Sequence, residues 1–291
     1  WNAFRLTQTW TVDTITEQPQ TARAAILWFE ATLDQTINMI NDHFDKFRIA
    51  DALLSIYKLI WDDFCSWYLE MVKPAYLQPI DSRTMKATID FFDQLLRLLH
   101  PFMPFISEEI FQRLRNTAGP ESIMIAQFPT AGPFDKNVIS DFEFAKQVII
   151  AIRNFRQKKN VSVKETLELY IRKNNRKINT WFDPIIAKLC NLAHIAYVEE
   201  KPEKVITILI ETTEFYLPAT DHCDFESEIE KLEADLKYQK DFMEAIEKKL
   251  SNEKFMSSAP KQVVEKERKK QADALARINI IESQLQNLRK D

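Results

Sequence analysis

Glycine is nearly absent from this chain: Gly119 and Gly132 are the only two in 291 residues. Loops that cradle phosphate need several residues at positive φ or pressed against the ligand, so a chain this poor in glycine is badly equipped to build one. No GxGxxG, GxxxxGKS/T or GxSxG occurs, which removes the common nucleotide-binding and hydrolase signatures. Cysteine is sparse as well. Cys65, Cys190 and Cys223 lie far apart with no CxxC, which reads as reduced thiols in a cytosolic protein. The histidines His43, His100, His194 and His222 show no metal-ligand spacing. His222 beside Cys223 is the nearest approach to a metal pair and reads as an ordinary connector, so no metal site and no catalytic constellation are expected. No apolar run approaches the roughly 18 residues of a membrane span. No signal peptide is visible, and the opening Trp1-Asn2-Ala3 without an initiator Met reads as a piece of something longer.

What is present is a soluble composition, 45% hydrophobic and 28% charged, long enough for two or three domains. The net charge of −4 argues against a uniformly basic nucleic-acid binder, so any such role needs local cationic patches.

Periodicity divides the chain into three expected parts. Residues 1–133 read as a helical bundle with its trailing connector. Leu33, Ile37, Ile40, Phe44 and Phe47 step by four and three, one apolar stripe of a helix starting near Thr21. Ile49, Leu53, Ile56, Ile60, Phe64, Trp67 and Met71 form a second stripe; Met85, Ile89, Phe92, Leu96 and Leu99 form a third; Ile106, Ile110 and Leu114 form a fourth. Residues 118–133 hold both glycines and three prolines and read as a connector, with Ile123-Met124-Ile125 as a short strand. Residues 134–221 read as a small α+β domain: a helix through Phe144, Val148, Ile152 and Phe155, then Leu167, Leu169 and Ile171 alternating with polar residues as a strand, a further helix, and β-like runs at 195–198, 205–210 and 214–217.

Residues 222–291 carry the clearest signal. Phe225, Ile229, Leu232, Leu236, Gln239, Met243, Ile246 and Leu250 make one heptad seam, and Val264, Glu267, Gln271, Ala274, Ile278, Ile281, Leu285 and Leu288 make another. A break around Pro260 between arms of similar length predicts an antiparallel coiled-coil hairpin, each arm about 40 Å long. With Leu250 facing Val264, Gln239 and Gln271 fall in adjacent core layers, a polar pair expected to fix register at some cost in stability.

Several segments resemble one family. His100-Pro101-Phe102-Met103-Pro104-Phe105-Ile106-Ser107-Glu108-Glu109-Ile110 is similar to a helix motif in the anticodon-binding domain of class Ia aminoacyl-tRNA synthetases. Asp63-Phe64-Cys65-Ser66-Trp67-Tyr68-Leu69-Glu70 with Lys73-Pro74 resembles the preceding helix, and Trp1-Asn2-Ala3 with Arg5 the helix that leads into the domain. Leu250-Ser251-Asn252-Glu253-Lys254-Phe255, followed by Ala259-Pro260-Lys261-Gln262-Val263-Val264-Glu265-Lys266-Glu267, resembles the coiled-coil arm of the valyl-tRNA synthetases and argues against the leucyl and isoleucyl enzymes. The resemblance implies a mainly α chain made of a helical-bundle anticodon-binding domain (1–133), a small α+β domain (134–221) and a coiled-coil tRNA-binding arm (222–291). Neither His-Ile-Gly-His nor Lys-Met-Ser-Lys-Ser occurs, so the ATP and Mg of the family's chemistry are not expected on these residues, and no cofactor is expected here. The implied partner is tRNA, specifically tRNA(Val), with a monomeric, cytoplasmic parent that joins valine to tRNA and edits mischarged product.

Binding such a polyanion needs cations for phosphate and flat side chains for bases. Arg153, Arg156, Lys158 and Lys159 concentrate charge at one helix end. Around the hairpin tip, Lys248, Lys249 and Lys254 lie on one side, with Lys269 and Lys270 on the other. Arg5 matches the family's leading helix. For each cation the competing reading is a solvated helix end or an i,i+4 ion pair, as in Glu244–Lys248. Trp1, Trp10 and Trp28 are candidate stacking platforms against the reading of plain core, and Phe102, Met103 and Phe105 read as core. A coiled-coil protein-interaction module with no RNA role is the alternative of a different class.

Overall fold

The computed structural model describes residues 1–114, 122–173, 180–218, 225–251 and separate positions between 267 and 285. These form a mainly helical chain with a small sheet. It packs as two units: Trp1–Gln157 with Ser162–Glu168 and Lys173–Ala196, and Lys158–Val161 with Leu169–Arg172 and Tyr197–Asp291.

The first unit is built on long amphipathic helices. A short α1 (Asn2–Gln8) leads to β1 (Val12–Asp13), then α2 (Gln20–Asp45), α3 (Ile49–Lys58), a π-helix (Leu59–Tyr68) and α4 (Leu69–Val72). β2 (Ile80–Asp81) pairs in parallel with β1, Val12 opposite Ile80. α5 (Ser82–Leu99) follows directly, with the Asp81 carboxylate capping it by accepting from Thr84 N at 2.8 Å. α6 (Pro104–Leu114), a 3₁₀ turn (Ile123–Ile125) and α7 (Lys136–Lys158) complete the helical run. Ile123–Ile125 is therefore a 3₁₀ turn rather than the expected strand, with the Ser122 hydroxyl accepting from Met124 N at 3.2 Å.

Aromatic rings fill the core. Phe29 packs within 5.3 Å of Phe64, 5.0 Å of Tyr68 and 5.0 Å of Phe91, and Trp28 lies 4.1 Å from Phe142. The expected stripe on α2 is buried at Leu33, Ile37 and Ile40, but Phe47 is 88% exposed. The helix stops at Asp45, and Phe47 turns the chain at φ 57, which carries it off the stripe.

On the next stripe, Ile56 and Phe64 are buried while Ile49 and Leu53 face outward. The π-helix explains the slip. Its wider turn sets a step of five from buried Leu59 to buried Phe64, so α-helical spacing cannot be carried through it. On α5 Phe92 and Leu96 of the expected stripe are buried, and the buried face extends to Thr84, Thr88, Phe91, Leu95 and Leu98 beside it. The two threonines are accommodated because Thr88 Oγ1 donates to Thr84 O at 2.8 Å and shares a 2.9 Å hydrogen bond with the Tyr68 hydroxyl.

After α7 the chain forms β3 (Leu167–Arg172), a 3₁₀ turn (Thr180–Phe182), α8 (Asp183–Cys190), β4 (Leu192–Val198), β5 (Val205–Ile210) and β6 (Thr213–Pro218). The four strands make one sheet in the order β4-β3-β6-β5. β5 and β6 form a tight antiparallel hairpin with Ile210 opposite Thr213, and β6 pairs antiparallel with β3, Tyr170 opposite Tyr216. Leu167, Leu169 and Ile171 are buried and alternate with outward residues, as the period of two predicts.

α9 (Phe225–Leu250) is a single 26-residue helix. Gln239 and Ile246, seven apart on its expected seam, are buried. Beyond it the described positions between 267 and 285 are helical; Glu267, Ala274, Ile278, Ile281 and Leu285 are buried there, while Arg268, Leu275 and Arg277 are exposed. The burial follows the second predicted seam, and Lys240 Nζ lies 2.7 Å from the Glu282 carboxylate.

Candidate nucleic-acid interface

On α1, Arg5 is exposed in the last turn, where a cation also suits the helix dipole. Beside it Trp1 is half-exposed, its ring 5.6 Å from Phe4 and covered by the Arg113 guanidinium at 5.3 Å. Trp10 is half-buried, whereas Trp28 is fully buried and so is no stacking platform for a ligand. Its ring instead supports Lys146, whose ammonium sits 5.0 Å from the Trp28 ring centre and 3.3 Å from the Asp63 carboxylate. Burial raises the Asp63 pKa above its ordinary value despite that neighbour.

α7 ends in the basic stretch singled out from sequence, and its members have different fates. Arg153 is exposed, its guanidinium 5.9 Å from the Trp67 ring. Lys158 is exposed at the last helical residue; Lys159 is half-buried and engaged. Arg156 is a correction. It is only 5% exposed, and it donates to Ser162 O at 2.7 Å, Cys190 O at 2.8 Å and Asn191 O at 3.2 Å. Asn191, in left-handed conformation at φ 50 past the end of α8, donates its amide to the carbonyls of Val163, Lys164 and Glu165 at 3.1–3.2 Å. Arg156 and Asn191 together satisfy the backbone of the loop after α7, so this guanidinium is committed to the fold and leaves the RNA-facing set.

On α9, Lys248 and Lys249 are exposed in the final turn. Lys248 pairs with Glu244 at 2.6 Å, which raises the lysine pKa and lowers that of the glutamate. Lys254, Lys269 and Lys270 lie outside the described residues, as do His222 and Cys223. Among the described residues, no group of His, Cys, Asp or Glu is arranged to hold a metal, and no helix is long and apolar enough to cross a membrane.

Two clefts of about 560 Å³ open in the first unit. One is apolar, floored by Trp61, Phe64, Leu96 and Ile110. The other has Asp90, Asp93 and Arg97 on its wall. Asp93 and Arg97 pair with each other, and Arg97 also donates to Gln127 O at 3.1 Å.

Sequence reasoning missed two exposed aromatic pairs. Tyr57 and Trp61 stack with centroids 6.1 Å apart and planes at 7°; Tyr238 and Phe242 stack at 6.5 Å and 7°. The signal was the i,i+4 spacing, which sets two rings side by side on a helix. Phe105, expected in the core, is 90% exposed near the start of α6.

Residues 27–171 match the family described as the anticodon-binding domain of tRNA ligase, and residues 224–289 match the one described as the valyl tRNA synthetase tRNA binding arm. The chain is similar to valine–tRNA ligases: 47% identical over 290 residues to that of Parabacteroides distasonis, covering 100% of this chain and 33% of the relative. It is 47% identical over 290 residues to that of Phocaeicola vulgatus, with the same coverage. Against that of Enterococcus faecalis it is 30% identical over 272 residues, 90% of this chain and 31% of the relative. The chain thus spans about a third of the length of the curated relatives it matches.

Proposed function

This chain belongs to the valyl-tRNA synthetase family, and from that premise we propose that it is the tRNA-gripping part of an enzyme that joins valine to tRNA(Val) with ATP and edits mischarged product. The observation that carries this reading is the pairing of two matched regions in one chain, an anticodon-binding domain and a tRNA-binding arm. These residues hold the RNA and do no chemistry on it; ATP and Mg act elsewhere in the parent, which is a cytoplasmic monomer. The division of labour runs along 1–133, 134–221 and 222–291.

The arm is an antiparallel coiled-coil hairpin. Supporting this are the buried heptad positions on both helical stretches and the Lys240–Glu282 ion pair, 42 residues apart in sequence, which flanks the seam. The cations that meet phosphate are Arg5, Arg153, Lys158 and Lys159, with Lys248, Lys249, Lys254, Lys269 and Lys270 on the arm. The acidic average is no obstacle, because screening limits each contact to its immediate surroundings.

The test is an anisotropy titration of the 291-residue chain with valine tRNA and a non-cognate tRNA at two salt concentrations. Affinity should fall steeply with salt. Reversing Lys248 and Lys249 to Glu should weaken binding and lower the salt slope by about two. Salt-insensitive binding without preference for tRNA would instead support a protein scaffold.

A further inference from the structure

α7 brings two cations to one aromatic ring. Lys146 and Arg153 stand two helical turns apart, so they share a face of that helix. Both lie over the indole of Trp67, the Lys146 ammonium 5.6 Å from the ring centre and the Arg153 guanidinium 5.9 Å from it. Trp67 comes from the π-helix and is half-buried, its ring edge-on to Phe142 with centroids 5.9 Å apart and planes at 88°. From there the two cations part. Lys146 is nearly enclosed, with 12% of its side chain exposed, and it is neutralised by Asp63 at 3.3 Å and Glu143 at 2.8 Å. Arg153 is exposed, and among the described residues no carboxylate lies within ion-pair reach of it. The helix dipole does not account for its place either, since that field is confined to the last turn and α7 runs on to Lys158. A guanidinium resting on a ring face uses none of its N–H groups there. Its donors stay open to an oxyanion while the ring limits the rotamers of the side chain.

We propose that Trp67 is a positioning residue that holds the Arg153 guanidinium ready for a backbone phosphate of the bound tRNA, with the Lys146–Asp63 pair fixing the ring. The inference rests on the tRNA-binding reading and deepens it. Two oxygens of a phosphodiester match the fork of a guanidinium, and ordering that fork beforehand reduces the entropy lost on binding. Both residues fall inside the region matched to the anticodon-binding domain, which favours phosphate over the carboxylate of a protein partner. The lysines of the arm attract the polyanion by charge, whereas a ring-held fork selects where one phosphate sits.

The experiment is anisotropy of the full 291-residue chain against valine tRNA across a range of salt. Arg153→Ala should lose about ten-fold in affinity and lower the salt slope by about one, because a phosphate contact disappears. Trp67→Leu keeps the charge and should lose about three-fold with the slope unchanged. Trp67→Phe, which keeps a ring, should bind like the parent. Arg153→Ala/Trp67→Leu should bind like Arg153→Ala alone, since the ring acts only through the guanidinium. If removing Trp67 costs the same factor again in the Arg153→Ala background, its role is structural and the proposal is overturned. Trp67→Met takes the place of the Leu variant if melting curves show that the latter does not fold. If the parent chain binds tRNA and Arg153→Ala binds equally well, the clamp is refuted while the tRNA-binding reading stands. If the parent chain itself fails to bind tRNA, that reading falls and takes the clamp with it. Polyglutamate covers the other occupant: binding to the parent chain that is lost in Arg153→Ala would make this a carboxylate site and overturn the proposal.

Discussion

Two helices of this protein end in basic residues, α7 with Arg153, Arg156 and Lys158 and α9 with Lys248 and Lys249, and the two ends do different things. At the end of α7 the chain must turn back and feed a sheet, and Arg156 is drawn inside to satisfy the carbonyls of Ser162, Cys190 and Asn191. In the last turn of α9 the two lysines stay in solvent, with Lys248 paired to its own helix at Glu244. A cation beside a loop that buries its backbone becomes structural, because an unsatisfied buried carbonyl costs more than a lost solvent contact. A cation on a helix that buries only a narrow seam stays available.

The sharpest way to break this contrast is Arg156→Ala. It removes a buried charged donor and strands its carbonyl partners, so urea unfolding of the chain should reveal a loss of about 3 kcal/mol. An effect below about 0.5 kcal/mol would return Arg156 to the surface set. Reversal of Lys248 and Lys249 should leave urea stability within that same margin, its effect appearing in the tRNA titration instead.

A smaller effect, of opposite sign, is expected within the arm. Gln239 is buried on the α9 seam and Gln271 is half-buried on the second. Changing both to Leu should raise the melting temperature by roughly 3 °C, since a buried polar group gives up transfer energy for register. A fall would mean that each amide is satisfied in place. The smallest effect belongs to the Lys240–Glu282 pair. A double-mutant cycle should give a coupling of about 0.5 kcal/mol that fades in high salt. No coupling at low salt would remove the support that this ion pair lends to the antiparallel register.

The long periodic segments were legible in advance. Leu33, Ile37 and Ile40 on α2, the alternation of Leu167, Leu169 and Ile171 on β3, and the buried positions Gln239, Ile246, Ala274, Ile278, Ile281 and Leu285 were read from spacing alone. They were readable because each element buries one continuous face, and a repeat of 3.5, 3.6 or 2 residues is all that such burial requires. The exposed aromatics were less legible. Phe105 and Trp61 count as apolar in any stripe, and whether a neighbour covers them is not written in their own helix.

Sequence by itself determined the helical seams, the short sheet and the resemblance that points to tRNA, since each depends on local spacing or on residues adjacent in the chain. Only tertiary structure decided that Leu59–Tyr68 is a π-helix that shifts the buried face, that Thr84 and Thr88 belong to the core, and that Arg156 faces inward. Those outcomes depend on which groups from distant segments meet. The Tyr68 hydroxyl and the carbonyls of Cys190 and Asn191 come from elsewhere in the chain, and no window of neighbouring residues contains them.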